Sequence, residues 1–144
     1  MSTPDPFDLA RFVSAQVGVH ERACRELLAG RKASHWMWFV FPQMRGLGRS
    51  GMAWEFGISS NDEARAYLGH PILGPRLIEV TRLALGHSDK PLRDVFGTPD
   101  DRKFHSSMTL FVQVAGADTV FAEAIEKLCQ GALDERTVAL LANG

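Results

Sequence analysis

The chain has 144 residues, 45% of them hydrophobic and 23% charged, an ordinary globular balance that excludes a long disordered tract or a fibrous repeat. Its length suits one domain around one core. Sixteen Lys and Arg nearly cancel seventeen Asp and Glu, for a net charge of -1, so no bulk charge draws it to nucleic acid or an anionic membrane, and any anion site has to be local.

Helix signals recur along the chain, separated by Gly or Pro. The first opens with Asp5 before Pro6, a capping residue and a first-turn proline. Leu9, Phe12, Val13 and Val17 then recur at helical spacing, with Gln16 in the same arc. A second helix is predicted from about His20 to Ala29, with Ala23, Cys24, Leu27 and Leu28 inward and Gly30 as its stop. These two are expected to form a tight antiparallel pair.

Next comes the most informative stretch, Gly30 to Gly51, holding two of the three tryptophans in the run Ser34-His-Trp-Met-Trp-Phe-Val-Phe-Pro-Gln. It reads as a helix from Ser34 that ends before Pro42, which forces Phe41 toward an extended conformation. A strand would have two bulky faces and no evident partner.

Further on, Ser60 and Glu63 have capping-box spacing ahead of Ala64, Tyr67 and Leu68. After the breakers Pro71, Gly74 and Pro75, a helix is predicted over Arg76 to Leu85. Another starts at Thr98-Pro99 with Phe104, Met108, Phe111, Val112 and Ala115 on one face. Val120 to Leu128 gives the next, and Asp134 opens the last, through Val138 and Leu141. Helix stops about ten residues apart predict an all-α, single-domain orthogonal array of about seven to nine short helices. Residues 1–5 and 142–144 are expected to be flexible ends.

No window reaches the roughly 18 apolar residues of a membrane span, and the N-terminus lacks a charged start followed by an apolar core, so a cytoplasmic protein is expected. Cys24 and Cys129 are too few for a disulfide framework and show no metal-ligand spacing. Both fall among apolar positions as small core residues. His20, His70, His87 and His105 are scattered, with no i, i+4 histidine pair beside a carboxylate. Neither a metal nor a cofactor is expected.

Gly46, Gly48 and Gly51 spell G-x-G-x-x-G, the spacing of a dinucleotide fingerprint. That chemistry needs a strand before the glycines and a full helix after them. Here Pro42 interrupts the approach and Gly57 leaves room for barely a turn and a half, so a plain turn is the better reading. The turn still carries Arg45, Arg49 and Ser50, with Lys32 and His35 upstream. If it folds back across the aromatics, cations and loop amides converge on one pocket walled by indole, a site for a phosphate or carboxylate.

On the helix after Pro99, Arg102, Ser106, Thr109 and Gln113 form a polar stripe, whereas Ser107 falls in the apolar arc one turn after Lys103. Ser107 is expected to bond back to the carbonyl four residues earlier. A Lys103-activated serine would need an oxyanion site that the sequence lacks. Ser106 and Thr109 suit a pocket edge or interhelix hydrogen bonds. Gln16, an amide in an apolar arc, has to find partners.

The Ser34–Gln43 run, continued by Gly46-Leu-Gly-Arg-Ser and by Ser106-Ser-Met-Thr-Leu-Phe, resembles the bacterial domain-of-unknown-function family of DUF 1810 type, whose members are often labelled calpastatin. The likeness runs from Asp5 to Phe111. It implies a compact, mostly helical single domain with no established activity, and the label lends no support to protease inhibition. The family pattern maps onto Phe12, Gln16, Gly30, Lys32, Ser34, His35, Trp36, Trp38, Phe39, Phe41, Pro42, Gln43, Gly46, Leu47, Gly48 and Ser50, then Lys103, Ser106, Ser107, Thr109 and Phe111. Gly51 lies outside it. His20 and Phe56 stand where the family commonly has Tyr.

The leading functional expectation is a pocket for a small anionic, phosphate-bearing or nucleotide-like ligand. Its residues would be Lys32, His35, Trp36, Gln43, Arg45, Gly46, Gly48, Arg49, Ser50, Lys103 and Ser106, with His35 the candidate for proton transfer. The alternative is a non-catalytic interaction module docking through the exposed part of the aromatic segment. Nucleic-acid binding through the same groups is disfavoured by the balanced charge.

Overall fold

The computed structural model describes residues 4–143, and among them it places ten helices and no strand. Of the chain ends expected to be flexible, 1–3 and 144 lie outside the described residues. The helices are α1 (Ala10–Gln16), α2 (His20–Ala29), α3 (Met37–Val40), α4 (Gly51–Glu55), α5 (Asn61–Gly69), α6 (Leu73–Leu85), α7 (Leu92–Phe96), α8 (Asp100–Ala115), α9 (Val120–Leu128) and α10 (Glu135–Asn143). The number exceeds the expected seven to nine because α4 and α7 are five residues each, too short to show a period in sequence.

Local chemistry explains most boundaries. Ser50, Ser60 and Thr119 each accept the backbone N–H three residues on and so cap α4, α5 and α9. Gly30 ends α2 with φ 84°, a left-handed geometry that favours glycine. The helix α6 begins three residues before Arg76 and takes Gly74 and Pro75 into its first turn, where a missing N–H costs no intrahelical bond. Asp5 does cap α1, its carboxylate accepting Leu9 N (2.7 Å) and Ala10 N (3.0 Å). The helix itself starts four residues later than Pro6 suggested, because Asp8 adopts φ 53°.

The predicted α1–α2 pair does not form as such: α1 packs on α3, and α2 packs on α6. Val17, expected inward, falls past the end of α1 and is 75% exposed, and Leu28 is also exposed. The long helix α8 is the hub, flanked by α9, α10, α5, α7 and α3. Its Phe104, Met108 and Phe111 are fully buried, with Phe104 against Phe96 (centroids 4.8 Å) and edge-on to Phe41 (5.1 Å). Gln16 finds its partners in the Phe39 carbonyl (2.7 Å), Tyr67 (3.3 Å) and Arg76 (3.2 Å). Buried Glu63 takes Arg11 Nη2 at 2.8 Å and the Ser59 N–H and hydroxyl. In Arg11 the remaining N–H groups reach the carbonyls of Phe7, Asp8, Glu55 and Gly57, which ties the N-terminal segment to the α4–α5 connection.

The aromatic run is helical, as expected, but for one turn only, Met37–Val40. Phe41 leaves the helix before Pro42 at φ -121° and ψ 76°, short of the extended conformation expected, and the chain then runs past Ile58, Arg45 N and Ile58 N donating to Ile58 O and Gln43 O. That crossing lays the glycine turn beside α8 and α10.

Candidate functional site

The turn from Gly30 to Trp36 is gathered around one carboxylate. Glu26, in the last turns of α2, accepts the N–H groups of Ala33 (2.6 Å) and Ser34 (2.9 Å), the Trp36 indole N–H (2.9 Å) and the Ser34 hydroxyl. Burial alone would raise the Glu26 pKa, but the Ser34 hydroxyl, the two amides and the indole outweigh it and hold it down at about 2. Trp36 is sealed at 1% exposure. Beside it, Lys32 pairs with Asp100 Oδ2 (2.7 Å), donates to Ser34 O (2.5 Å) and lies 5.0 Å from the indole centroid, its side chain only 6% exposed. Glu26, the Ser34 hydroxyl, the Trp36 indole N–H and Lys32 are each matched within the protein.

Two residues on, α3 turns Trp38 to the other side, where it is half-buried. Lys103 Nζ sits 3.7 Å above its ring and 3.2 Å from Asp100 Oδ1. Here a hollow of about 400 Å³ opens between α3, the glycine turn, α8 and the start of α10. Its walls are Trp38, Gln43, Leu47, Gly48, Pro99, Arg102, Lys103, His105, Ser106, Asp134 and Arg136. Three permanent cations among them face a single carboxylate, and that carboxylate is engaged: Asp134 Oδ2 caps α10 through Thr137 N (3.1 Å) and accepts the Thr137 and Ser106 hydroxyls (2.5 and 3.3 Å). Ser106 also reaches Arg102 O (3.1 Å), His105 Nε2 donates to Ala132 O (2.6 Å), and Arg136 makes one long contact to Leu47 O (3.4 Å).

Of the residues expected to form a site, the hollow unites Gln43, Gly48, Lys103 and Ser106. The others lie elsewhere, each for a physical reason. Lys32 is neutralised by Asp100, and Trp36 is core. Arg45 stacks on Trp54 (4.4 Å) and donates to its carbonyl (2.9 Å). Gly46 (φ 107°) faces Leu140. Ser50 caps α4, and Arg49 and His35 are exposed away from the hollow. Gly48 is needed for close packing, since a Cβ there would come within 2.8 Å of Ala53 Cβ. Beyond Gly51 only the five-residue α4 follows, too short for a dinucleotide site.

Trp38, Arg102, His105, Asp134 and Arg136 were missed as site residues. Arg102 was legible, one turn from Ser106 on the polar stripe. Arg136 carried no signal, since only the fold brings α10 to the glycine turn. Thr109 makes the expected interhelix bond, accepting Asp134 N (2.9 Å). Ser107 does not behave as expected: it is fully buried and its hydroxyl has no partner, so the back-bond to Lys103 O is absent.

Among unlike ligands the histidine and cysteine spacings read differently. His20 and Cys24 are one turn apart on α2, and Glu79 of α6 joins them. Burial and then Glu79 push the Cys24 thiol up to about 11, and burial pushes Cys129 up to about 12, so both are protonated at neutral pH and neither is an activated nucleophile. No helix of the described residues is long and apolar enough to cross a membrane.

Fold and site together define a helical protein with a cation-lined hollow beside a half-buried indole. The chain belongs to the DUF1810 family, proteins of unknown function, whose model matches residues 6–141. It is similar to a solved structure, the conserved hypothetical protein Rv1873 from Mycobacterium tuberculosis, with 54% identity and a TM-score of 0.93 over 96% of this chain and 99% of that one. No curated protein matches the chain.

Proposed function

We propose that this protein binds a small anionic ligand, phosphate-bearing or nucleotide-like, in the hollow beside Trp38. The observation that supports this most is the charge imbalance: Arg102, Lys103 and Arg136 line one concavity whose single carboxylate, Asp134, is occupied in capping α10. Arg102 and Arg136, without a carboxylate partner among the described residues, and Lys103, which shares Asp100 with Lys32, stand around a wall of indole and suit an anion carried on a planar group. In this reading Lys103 and the two arginines neutralise the anion, Gln43 and Ser106 orient it, and Trp38 takes the planar portion. The charged partner reaches the site from solvent, in keeping with a cytoplasmic, single-domain protein whose short helices cross at steep angles. The docking alternative rests on the exposed part of the aromatic segment, and with Trp36, Met37, Phe39, Val40 and Phe41 buried, half-buried Trp38 is the large aromatic left to it.

Thermal unfolding with pyrophosphate, AMP and ADP tests the proposal. A ligand at about one hundred times its Kd adds about 2.7 kcal/mol of stability and raises Tm accordingly. At least one probe is expected to raise Tm in a salt-sensitive way, and the rise should fall by about half or more in Lys103→Met and in Arg136→Ala but persist in full in His35→Ala. A flat response to all three probes, or a rise undiminished by either cation substitution, overturns it.

A further inference from the structure

Apart from the hollow, one cluster brings three metal-ligating side chains of different chemistry to a point. On α2, His20 and Cys24 project from successive turns of one face. On the helix packed directly against it, α6, Glu79 faces them. His20 Nε2 lies 2.8 Å from Glu79 Oε1, and Cys24 Sγ lies 3.5 Å from each. A tetrahedral zinc ion with ordinary bond lengths holds its nitrogen, sulfur and oxygen ligands about 3.4 to 3.6 Å apart. Two edges of that triangle are therefore already in place, and the third needs to open by roughly 0.6 Å.

We propose that His20, Cys24 and Glu79 form a site for a borderline divalent cation, Zn²⁺ foremost, with water in a fourth position. The nitrogen, sulfur and oxygen donor set selects such a metal over Mg²⁺ or Ca²⁺, which take oxygen ligands. Thiolate and carboxylate together balance the charge of the ion; on binding, the thiol proton leaves to solvent, and the His20 Nε2 proton that bonds Glu79 leaves to solvent as well, a neutral ring keeping its proton on Nδ1. The other charges near the thiol are Glu21 on α2 and Arg76 on α6. Arg76 is turned to Gln16 Oε1 at 3.2 Å. The Glu79 side chain is 58% exposed and that of His20 14%, so an ion and its water have a route in from solvent without unfolding.

The test is a titration of the full-length, metal-free, reduced protein with Co²⁺, followed by displacement with Zn²⁺. Expected are one Co²⁺ per chain, a near-ultraviolet thiolate-to-cobalt charge-transfer band, and loss of that band on adding Zn²⁺. Cys24→Ser should abolish the band, Glu79→Gln should weaken affinity by about tenfold or more, and Cys129→Ser should change neither. Metal-free circular dichroism checks that each variant is folded. If Cys24→Ser does not fold, Glu79→Gln carries the test at its exposed position. No band in the unsubstituted protein, a band that persists in Cys24→Ser, or unchanged affinity in Glu79→Gln overturns the proposal.

Discussion

Trp36 and Trp38 stand two residues apart at the same one-turn helix, each with a lysine over its ring, and they end in opposite states. On the Trp36 side, Glu26 takes the indole N–H and Asp100 takes Lys32, so the ring is sealed and the cation is neutralised. On the Trp38 side the same Asp100 offers Lys103 only its second oxygen, at 3.2 Å, and among the described residues Arg102 and Arg136 have no carboxylate partner. The ring there stays half-open. Identical residue types thus make a clasp where acids are supplied and a receptive surface where they are not. A cation near an aromatic is no sign of a binding site until its acid has been sought.

The largest expected effect comes from breaking the sealed side. Trp36→Ala removes a fully buried indole and should cost about 3 to 5 kcal/mol, read as a drop in denaturant midpoint. Loss below about 1 kcal/mol would mean that the ring is not core. Next comes Glu26→Gln, expected to cost about 2 to 3 kcal/mol, because charge-assisted bonds weaken and one oxygen becomes a donor facing donors. The same variant sharpens the pH dependence. The folded-state pKa of Glu26 is held at about 2, below its ordinary 4.5, so its stabilisation is complete above about 4.5 and is lost as pH falls toward 2. Acid titration of unfolding should show a steeper decline in the unsubstituted protein than in Glu26→Gln over that window. Parallel curves would assign the acid limb to other carboxylates.

On the open side the balance should reverse. Arg136→Ala is expected to change stability by less than about 0.5 kcal/mol, as befits an exposed side chain with one long contact, while weakening an anionic probe about tenfold, or about 1.4 kcal/mol. Calorimetric titration with the probe that gives the largest thermal shift reads this directly. A variant that loses stability but keeps affinity would place Arg136 in the same class as Lys32.

Much of the fold was legible because its helix ends carry local chemistry: Ser60, Thr119 and Asp134 cap, and Gly30 stops. What was illegible is long-range. Nothing near Ser34 announces that its partner is Glu26, eight residues back on α2, nor that Asp100 lies across from Lys32. Of the expected site residues the hollow gathers Gln43, Gly48, Lys103 and Ser106, and it leaves out Lys32, His35 and Trp36. The sequence grouped Lys32, His35 and Trp36 by proximity along the chain, whereas a helix of one turn sends Trp36 and Trp38 to different sides. Arg136 could only be found by folding, since in sequence it is far from every wall of the hollow but Asp134. Gly46 and Gly48 were expected to turn their amides to a ligand, whereas the requirement visible at Gly48 is close packing on Ala53.

The same contrast descends to two adjacent hydroxyls on α8. Ser106 faces the hollow and bonds Arg102 O and Asp134, whereas Ser107 is sealed with no partner. Ser106→Ala removes a made bond and should cost about 1 kcal/mol. Ser107→Ala removes a buried hydroxyl that has exchanged water for nothing, and the residue left in its place is a better helix former. It should therefore leave stability unchanged or raise it by up to about 1 kcal/mol. The denaturant midpoints of the two variants should thus move apart. If Ser107→Ala instead fell by 1 kcal/mol or more, its hydroxyl would have a partner, and the closed side of α8 would be matched down to its last polar atom.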